Sequence, residues 1–345
     1  MKILGKALTY ALAGVAAAAL FAGVAAAQEK KKIRIGWQPT SIISAQIALA
    51  MIKTDIMERN GLVGEHTMFT LGPPLNEGLV SNAIDVGYVG DMPALSMMAA
   101  GAKTLVIGRQ TSFRTGLMSS VRTDIKKPDD LKGKKIYGPY GTSAFLSTQG
   151  ILQQAKLTPG KDVEMLNLAF GEILDSLNAG RIDNFYMWDP WVTFFEKKNL
   201  ARVIGQDPGI LLVILMREDF YKNNPDVVER FLKANKEALL FCAQNQSTCN
   251  KWVLEAPQAR AFDENILQAA ASLDPQWSAK SLKDIHVSIS PDEMKRFEAV
   301  GKRAFELKIL QRDPPVQERT DQKIAEKVDA ETWNFDPKTV KIIAK

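Results

Sequence analysis

Asp91 and Asp189 each close a stretch with the spacing I-D-x-x-Y-x-x-D. The first runs IDVGYVGD and sets Asp85, Tyr88 and Asp91; the second runs IDNFYMWD and sets Asp183, Tyr186 and Asp189. A carboxylate at the end of such a stretch either pairs with a ligand ammonium or caps the helix that follows. Two Thr-Ser pairs, Thr40-Ser41 and Thr142-Ser143, carry hydroxyls that either cap a helix or donate to a ligand oxygen. Arg114 brings a fork of N–H donors that suits an oxyanion. Trp37, Trp188 and Trp191 supply flat apolar walls for an organic group, or plain packing.

Catalysis and metal binding find no such support. His66 and His286 stand apart from each other and from Cys242 and Cys249, so no nucleophile, base and orienter come together in sequence. Clusters with metal-ligand spacing are missing too. With metal and catalysis lacking partners, Cys242 and Cys249 in FCAQNQSTCN read as a disulfide across a small loop.

Elements must hold these residues in place. KIRIGW alternates like a strand, and SAQIALAMIKTDIMERNGL has helical spacing with Gly61 as its stop. EHTMFTL and IDVGYVG read as strands, LNEGLVSNA as a helix. DMPALSMMAAG reads as a helix with Asp91 as N-cap and Pro93 in its first turn. KTLVIGRQ is a further strand. After GRQTSFRTG the pattern restarts through GLMSSV, KKIYG, TSAFLSTQGILQQAKL, DVEMLNL, GEILDSLNAG, IDNFYMW, WVTFFEKKNL, LARVIG and ILLVILM. Alternation of strand and helix argues α/β with a mostly parallel sheet. Beyond Pro225 the chain reads as mostly helical, and from Arg312 the tail is polar.

The restart is a repeat. KKIRIGWQPTSII (Lys31 to Ile43) and KKIYGPYGTSAF (Lys134 to Phe145) echo each other at nearly the same offset as the two Asp-Tyr-Asp stretches. Two copies of one α/β unit joined by two extended crossings, GRQTSFRTG and ILLVILM, imply two lobes, the second inserted into the first: 28–112 and 214–345 for lobe I, 113–213 for lobe II. Such a hinge lets a cleft open and close around a ligand.

Charge and leader narrow the class. The 345 residues hold 44 Lys and Arg against 39 Asp and Glu, and two of the lysines, Lys2 and Lys6, belong to an N-terminal leader. The remainder is near balance with scattered lysines, which fits a nucleic-acid-binding surface poorly. Residues 1–27 have the charged start, apolar core and Ala25-Ala26-Ala27 end of a secretory signal peptide cleaved before Gln28. The run is too rich in Ala and Gly for a spanning anchor, and with no cysteine near the cleavage site a lipid anchor is not expected.

Together IRIGWQ, NAIDVGYVGDMPAL, DLKGKKIYGPYGTSAF and LNAGRIDNFYMWDPWVTFFE resemble the periplasmic substrate-binding proteins of ABC importers. The branch is the one that binds taurine, aliphatic sulfonates, nitrate and thiamine-precursor pyrimidines. The likeness runs from about Lys32 to about Leu240. It implies a two-lobed type II periplasmic binding protein fold with the ligand in the cleft, and delivery to a membrane permease with a cytoplasmic ATPase. The expected protein is a periplasmic monomer with no cofactor. Two stretches depart from the sulfonate binders: GPYGTSAF stands where a Gly-Ser-Ser type of loop is commoner, and TSFR is not a standard crossing.

Open α/β sheets bind ligands at the carboxyl ends of their strands. The loops there offer Trp37, Gln38, Thr40 and Ser41; Asp91 and Met92; Tyr140, Thr142 and Ser143; and Trp188, Asp189 and Trp191, with Arg114 on the first crossing. This mixture favours a small organic anion of the taurine or alkanesulfonate type. Nitrate or bicarbonate, a pyrimidine and an aromatic acid are the alternatives. An enzyme on the same fold and a ligand carrier for a periplasmic sensor are the other classes.

Overall fold

The computed structural model describes residues 30–343, so the expected leader lies outside the described residues. The first run of elements is β1 (Lys31–Trp37), α1 (Ile42–Lys53), α2 (Ile56–Arg59), β2 (Leu62–Met68), α3 (Gly72–Val80), β3 (Val86–Gly90), α4 (Asp91–Ala99) and β4 (Thr104–Ser120). The second is β5 (Lys135–Gly138), α5 (Ser143–Gln154), β6 (Glu164–Asn167), α6 (Ile173–Asn178), β7 (Asn184–Trp188), α7 (Trp191–Lys197) and β8 (Ala201–Arg217). Helices then follow: α8 (Glu218–Asn223), α9 (Pro225–Gln244), α10 (Gln246–Leu254), α11 (Glu264–Ala271), α12 (Pro291–Glu306) and α13 (Lys323–Ala330).

One eight-stranded sheet runs through the molecule in the order β2-β1-β3-β8-β4-β7-β5-β6. Read outward from the central β8–β4 pair, both directions give the same series: β3 or β7, then β1 or β5, then β2 or β6. The pairings repeat as well. β1 is parallel to β2 and β3, β5 is parallel to β6 and β7, while β3 and β7 run antiparallel to β8 and β4. The echo in sequence is therefore an echo in the fold, with Tyr88 and Tyr186 at equivalent places and both fully buried.

The two crossings differ from expectation in one respect. KTLVIGRQ, TSFRTG and GLMSS form a single 17-residue strand, β4, and LARVIG and ILLVILM form a single 17-residue strand, β8. Pro208 and Gly209 interrupt the sequence pattern of β8, and proline has no N–H to give a ladder. The sheet absorbs them as a bulge: Phe113 pairs with Ile210 and Thr115 with Asp207, so Pro208 and Gly209 together oppose Arg114.

Separate apolar cores serve the two halves. Ile33, Ile47, Tyr88, Phe231 and Leu239 belong to the large core between β1, α1 and α9, and Val89, Leu95, Val213 and Phe297 to another on the other face. In the second half, Phe185, Trp191 and Phe195 form one core and Leu117, Ile136 and Tyr186 another. The polar tail is tied to the first half: Asp55 N–H donates to the Lys341 carbonyl at 3.0 Å, Lys341 N–H returns to Asp55 Oδ1 at 2.9 Å, and Trp333 Nε1 donates to Glu237 Oε1 at 2.7 Å.

Cys242 and Cys249 are bonded, with Cα atoms 5.7 Å apart. They do not sit in a loop. Cys242 lies in α9 and Cys249 in α10, both buried, and Asn245 alone separates the two helices.

Candidate functional site

Four helices start at one place. α1 follows Ser41 as N-cap, α3 follows Leu71, α4 follows Gly90 and α5 follows Thr142. All of these caps line one cavity between the two halves of the sheet, together with Gln38, Thr40, Gly72, Pro93, Ser143 and Ala144. Phe113, Trp188 and Leu212 complete the wall. Helix starts carry unpaired amides and about half a positive charge, although Pro73 and Pro74 at α3 and Pro93 at α4 have no N–H to offer. None of the lining residues is itself charged. The helix ends therefore make the site attractive to an anion.

The cavity measures about 40 Å³. At roughly 10–15 Å³ per water, it has room for a few water molecules. Its walls are drawn together by bonds from one half of the sheet to the other. Trp188 Nε1 donates to the Thr40 carbonyl at 2.9 Å, and the Met92 amide reaches Ser143 Oγ at 3.4 Å. This is a closed cleft.

Several expected residues meet at the cavity. Gln38 is held by its Nε2 donating to the Tyr88 carbonyl at 2.7 Å. Thr142 uses its hydroxyl as a cap, accepting from Phe145 N–H at 3.2 Å and donating to the Pro139 carbonyl at 2.9 Å. Ser41, by contrast, holds the N-cap position of α1 without a bond from its side chain to that helix. Thr40 Oγ1 donates to the Thr70 carbonyl at 3.4 Å. Trp188 stacks on Phe170 with ring centroids 5.2 Å apart, which fixes the plane it turns to the cavity.

Asp91 lies just behind the wall. It is the first residue of α4, one place after the N-cap Gly90, and its Oδ1 accepts from the Met92 amide at 2.6 Å. Burial pushes its carboxyl up to about 6, against the pull of hydrogen bonds from Ser143 and Met92.

Other expected residues are engaged elsewhere. Arg114 Nε donates to Asp189 Oδ2 at 2.9 Å, and its Nη2 reaches Glu196 Oε2 at 3.0 Å and Thr193 Oγ1 at 3.1 Å. Burial works against its charge, yet Asp189 and Glu196 outweigh that and raise its pKa. Asp189 also caps α7, accepting from the Thr193 amide at 2.9 Å. Trp191 packs among Phe194, Phe195, Phe170 and Phe262, and Trp37 and Met92 lie in apolar cores. Tyr140 is 43 % exposed and donates its hydroxyl to the Met165 carbonyl at 2.6 Å. None of these lines the cavity.

Sequence reasoning passed over Leu71, Gly72, Gly90, Pro93, Phe113, Ala144 and Leu212. One signal was present: Gly72-Pro73-Pro74 places proline at the start of α3, where its missing N–H costs nothing. Among the described residues, no group of three or more His, Cys, Asp or Glu side chains could hold a metal ion. No helix among them is long and apolar enough to cross a membrane.

A two-lobed binding-protein fold, with its cavity between lobes and two long strands as the hinge, is the class that these elements define. Residues 77–248 match the family described as NMT1/THI5 like. The chain is 27 % identical over 226 residues to a putative aliphatic sulfonates-binding protein of Bacillus subtilis (strain 168), covering 62 % of this chain and 66 % of that one. It is 26 % identical over 225 residues to the taurine-binding periplasmic protein of Escherichia coli (strain K12), covering 64 % and 69 %. Among solved structures, the alkanesulfonate-binding protein SsuA from Xanthomonas axonopodis pv. citri, bound to MOPS, superposes with a TM-score of 0.70 at 20 % identity, covering 85 % of this chain and 99 % of that one. That likeness establishes the fold as the periplasmic binding protein fold.

Proposed function

We propose that this chain is the solute-binding component of an ABC import system, capturing a small organic anion of the taurine or alkanesulfonate type. The observation that carries this reading is the convergence of four helix N-termini on a cavity whose lining has no charged side chain. An anionic head would take its hydrogen bonds from the helix amides and from Ser41 and Ser143. Leu71, Phe113, Trp188 and Leu212 would cover an apolar stem. The sulfonate- and taurine-binding names of its relatives support the same class.

In this reading the leader is removed after Ala27 and the mature monomer works in the periplasm. Lobe I comprises 28–112 and 214–345, and lobe II comprises 113–213. The lobes part about β4 and β8 to admit the ligand, close on it, and present it to a membrane permease with a cytoplasmic ATPase. It is a carrier and not an enzyme, in keeping with the names of its relatives.

The small cavity favours a second reading, a compact inorganic anion such as nitrate or bicarbonate. A thermal-shift screen of protein from Gln28, unfolded and refolded to strip carried ligand, separates them. Taurine and alkanesulfonates are expected to raise the unfolding temperature, since a ligand at a hundred times its Kd adds about 2.7 kcal/mol. A response to nitrate alone would move the assignment to the second reading. A response only to pyrimidines or uncharged aromatics would refute both.

A further inference from the structure

Asp91 and Ser143 bring the two lobes together at the starts of α4 and α5, and the Ser143 hydroxyl lies between the carboxyl and the cavity. The Met92 amide is shared between them, donating to Asp91 Oδ1 at 2.6 Å and to Ser143 Oγ at 3.4 Å, which sets the Ser143 hydroxyl beside the Asp91 carboxyl. Ser143 lines the cavity, whereas Asp91 stands behind it, 4 % exposed. A serine hydroxyl has one proton to donate. While Asp91 is ionised, that proton belongs to its carboxylate and Ser143 turns only lone pairs to the cavity. Once Asp91 is protonated it donates to Ser143 Oγ, and the Ser143 proton is free for a ligand oxygen.

We propose that Asp91 sets the affinity of the site for anions through Ser143: a bound anion takes the Ser143 hydrogen bond, and Asp91 takes up one proton from solvent in exchange. The inference rests on reading the cavity as an anion site. No covalent bond is made or broken, and the only species exchanged with solvent is that proton. Asp91 is a positioning residue here, because it meets the ligand only through Ser143. Two other charged groups act on it from neighbouring elements. Asp207 on β8, paired with Arg296, disfavours its anion, and Arg303 on α12 favours it. With the carboxyl pushed up to about 6 before the ligand arrives, and higher once an anion sits beside it, the exchange falls above about pH 6.

Methanesulfonate and nitrate keep one protonation state across this range, so they are the probes. Calorimetric titration of the wild type, Asp91→Asn and Ser143→Ala from pH 5.5 to 8.5 tests the proposal, with circular dichroism confirming that each variant is folded. Wild-type affinity is expected to rise as pH falls from 8.5 to about 6, by up to about tenfold per pH unit, and to level off below. Repeating the titration at pH 7.5 in buffers of different ionisation enthalpy is expected to show net proton uptake on binding. Asp91→Asn is expected to bind with little pH dependence and more tightly than the wild type at pH 8.5. Ser143→Ala is expected to flatten the profile by losing affinity at low pH.

A flat wild-type profile, or a slope that persists in Asp91→Asn, overturns the proposal while leaving the anion site standing. So does the opposite slope, which would assign Asp91 to a ligand cation. If neither anion binds at any pH, the anion reading fails, and this inference with it.

Discussion

Trp188 Nε1 donates to the Thr40 carbonyl at 2.9 Å, joining the end of β7 to the loop before α1 across the cleft. It is a bond that can exist only while the two lobes are closed on each other. Trp188→Phe keeps an aromatic wall and deletes the donor. A net hydrogen bond contributes about 0.5–1.5 kcal/mol, so the variant is expected to weaken ligand binding by roughly twofold to tenfold. Calorimetry against the responding ligand measures it, and an unchanged Kd would show that the bond does not help closure.

Gly90 lets Ser143 approach. A Cβ at Gly90 would lie 2.3 Å from Ser143 Oγ, while its φ of −67° suits alanine, so only the clash stands against substitution. Overpacking of this kind costs about 1–3 kcal/mol. Gly90→Ala is expected to weaken binding by at least about fivefold. The double variant Gly90→Ala/Ser143→Ala is expected to bind more tightly than Gly90→Ala alone, because the next atom met is the residue 143 Cβ, at 3.4 Å. Additive losses in this cycle would contradict the contact.

The Asp91 carboxyl also leaves a mark on stability. Its pKa is raised from 3.8 to about 6 in the folded protein, so its stabilising contribution is fully present below about pH 4 and is lost as pH rises through 6. The loss amounts to about 3 kcal/mol at 1.4 kcal/mol per pH unit. Asp91→Asn escapes it. Urea unfolding without ligand is expected to show the variant gaining on the wild type between pH 4.5 and 7.5, and a constant difference would refute the destabilised buried carboxylate.

Arg114 holds Asp189, whose side chain is 2 % exposed. Removing one partner of such a pair leaves the other charge buried and costs about 3 kcal/mol or more. Arg114→Ala is therefore expected to lower the unfolding temperature by several degrees, while ligand affinity of the folded protein stays within about threefold. Loss of binding without loss of stability would return Arg114 to the ligand.

The Asp-Tyr-Asp echo carried much of the architecture, because each copy fixes one strand, one loop and one helix start, and strand-end loops of such sheets converge on a cleft. What the echo could not carry is how its two copies diverge. Asp91 and Asp189 share a spacing, yet Asp189 meets Arg114 from 75 residues away and Asp91 meets Ser143 across the cleft. Partners so distant in sequence leave no local pattern. Arg114, Trp37 and Trp191 were chosen for the chemistry of their side chains, and burial among partners on other elements decides that chemistry. Gly72 and Gly90 line the cavity at helix starts with no side chain beyond hydrogen, for which residue type is a weak signal. Pro208 and Gly209 hid the continuity of β8 in the same way, since a bulge is set by the facing strand.

Charge selection without a charged lining is the central claim, and a pair of near-isosteric ligands tests it. Methanesulfonate and dimethyl sulfone differ mainly in an oxygen anion against a methyl group. Each helix start favours an anion by about 0.3–1 kcal/mol, so four together, about 1.2–4 kcal/mol, predict that methanesulfonate binds at least about sevenfold tighter when the two are titrated into refolded protein at pH 6. Equal affinities, or tighter binding of the sulfone, would contradict the account.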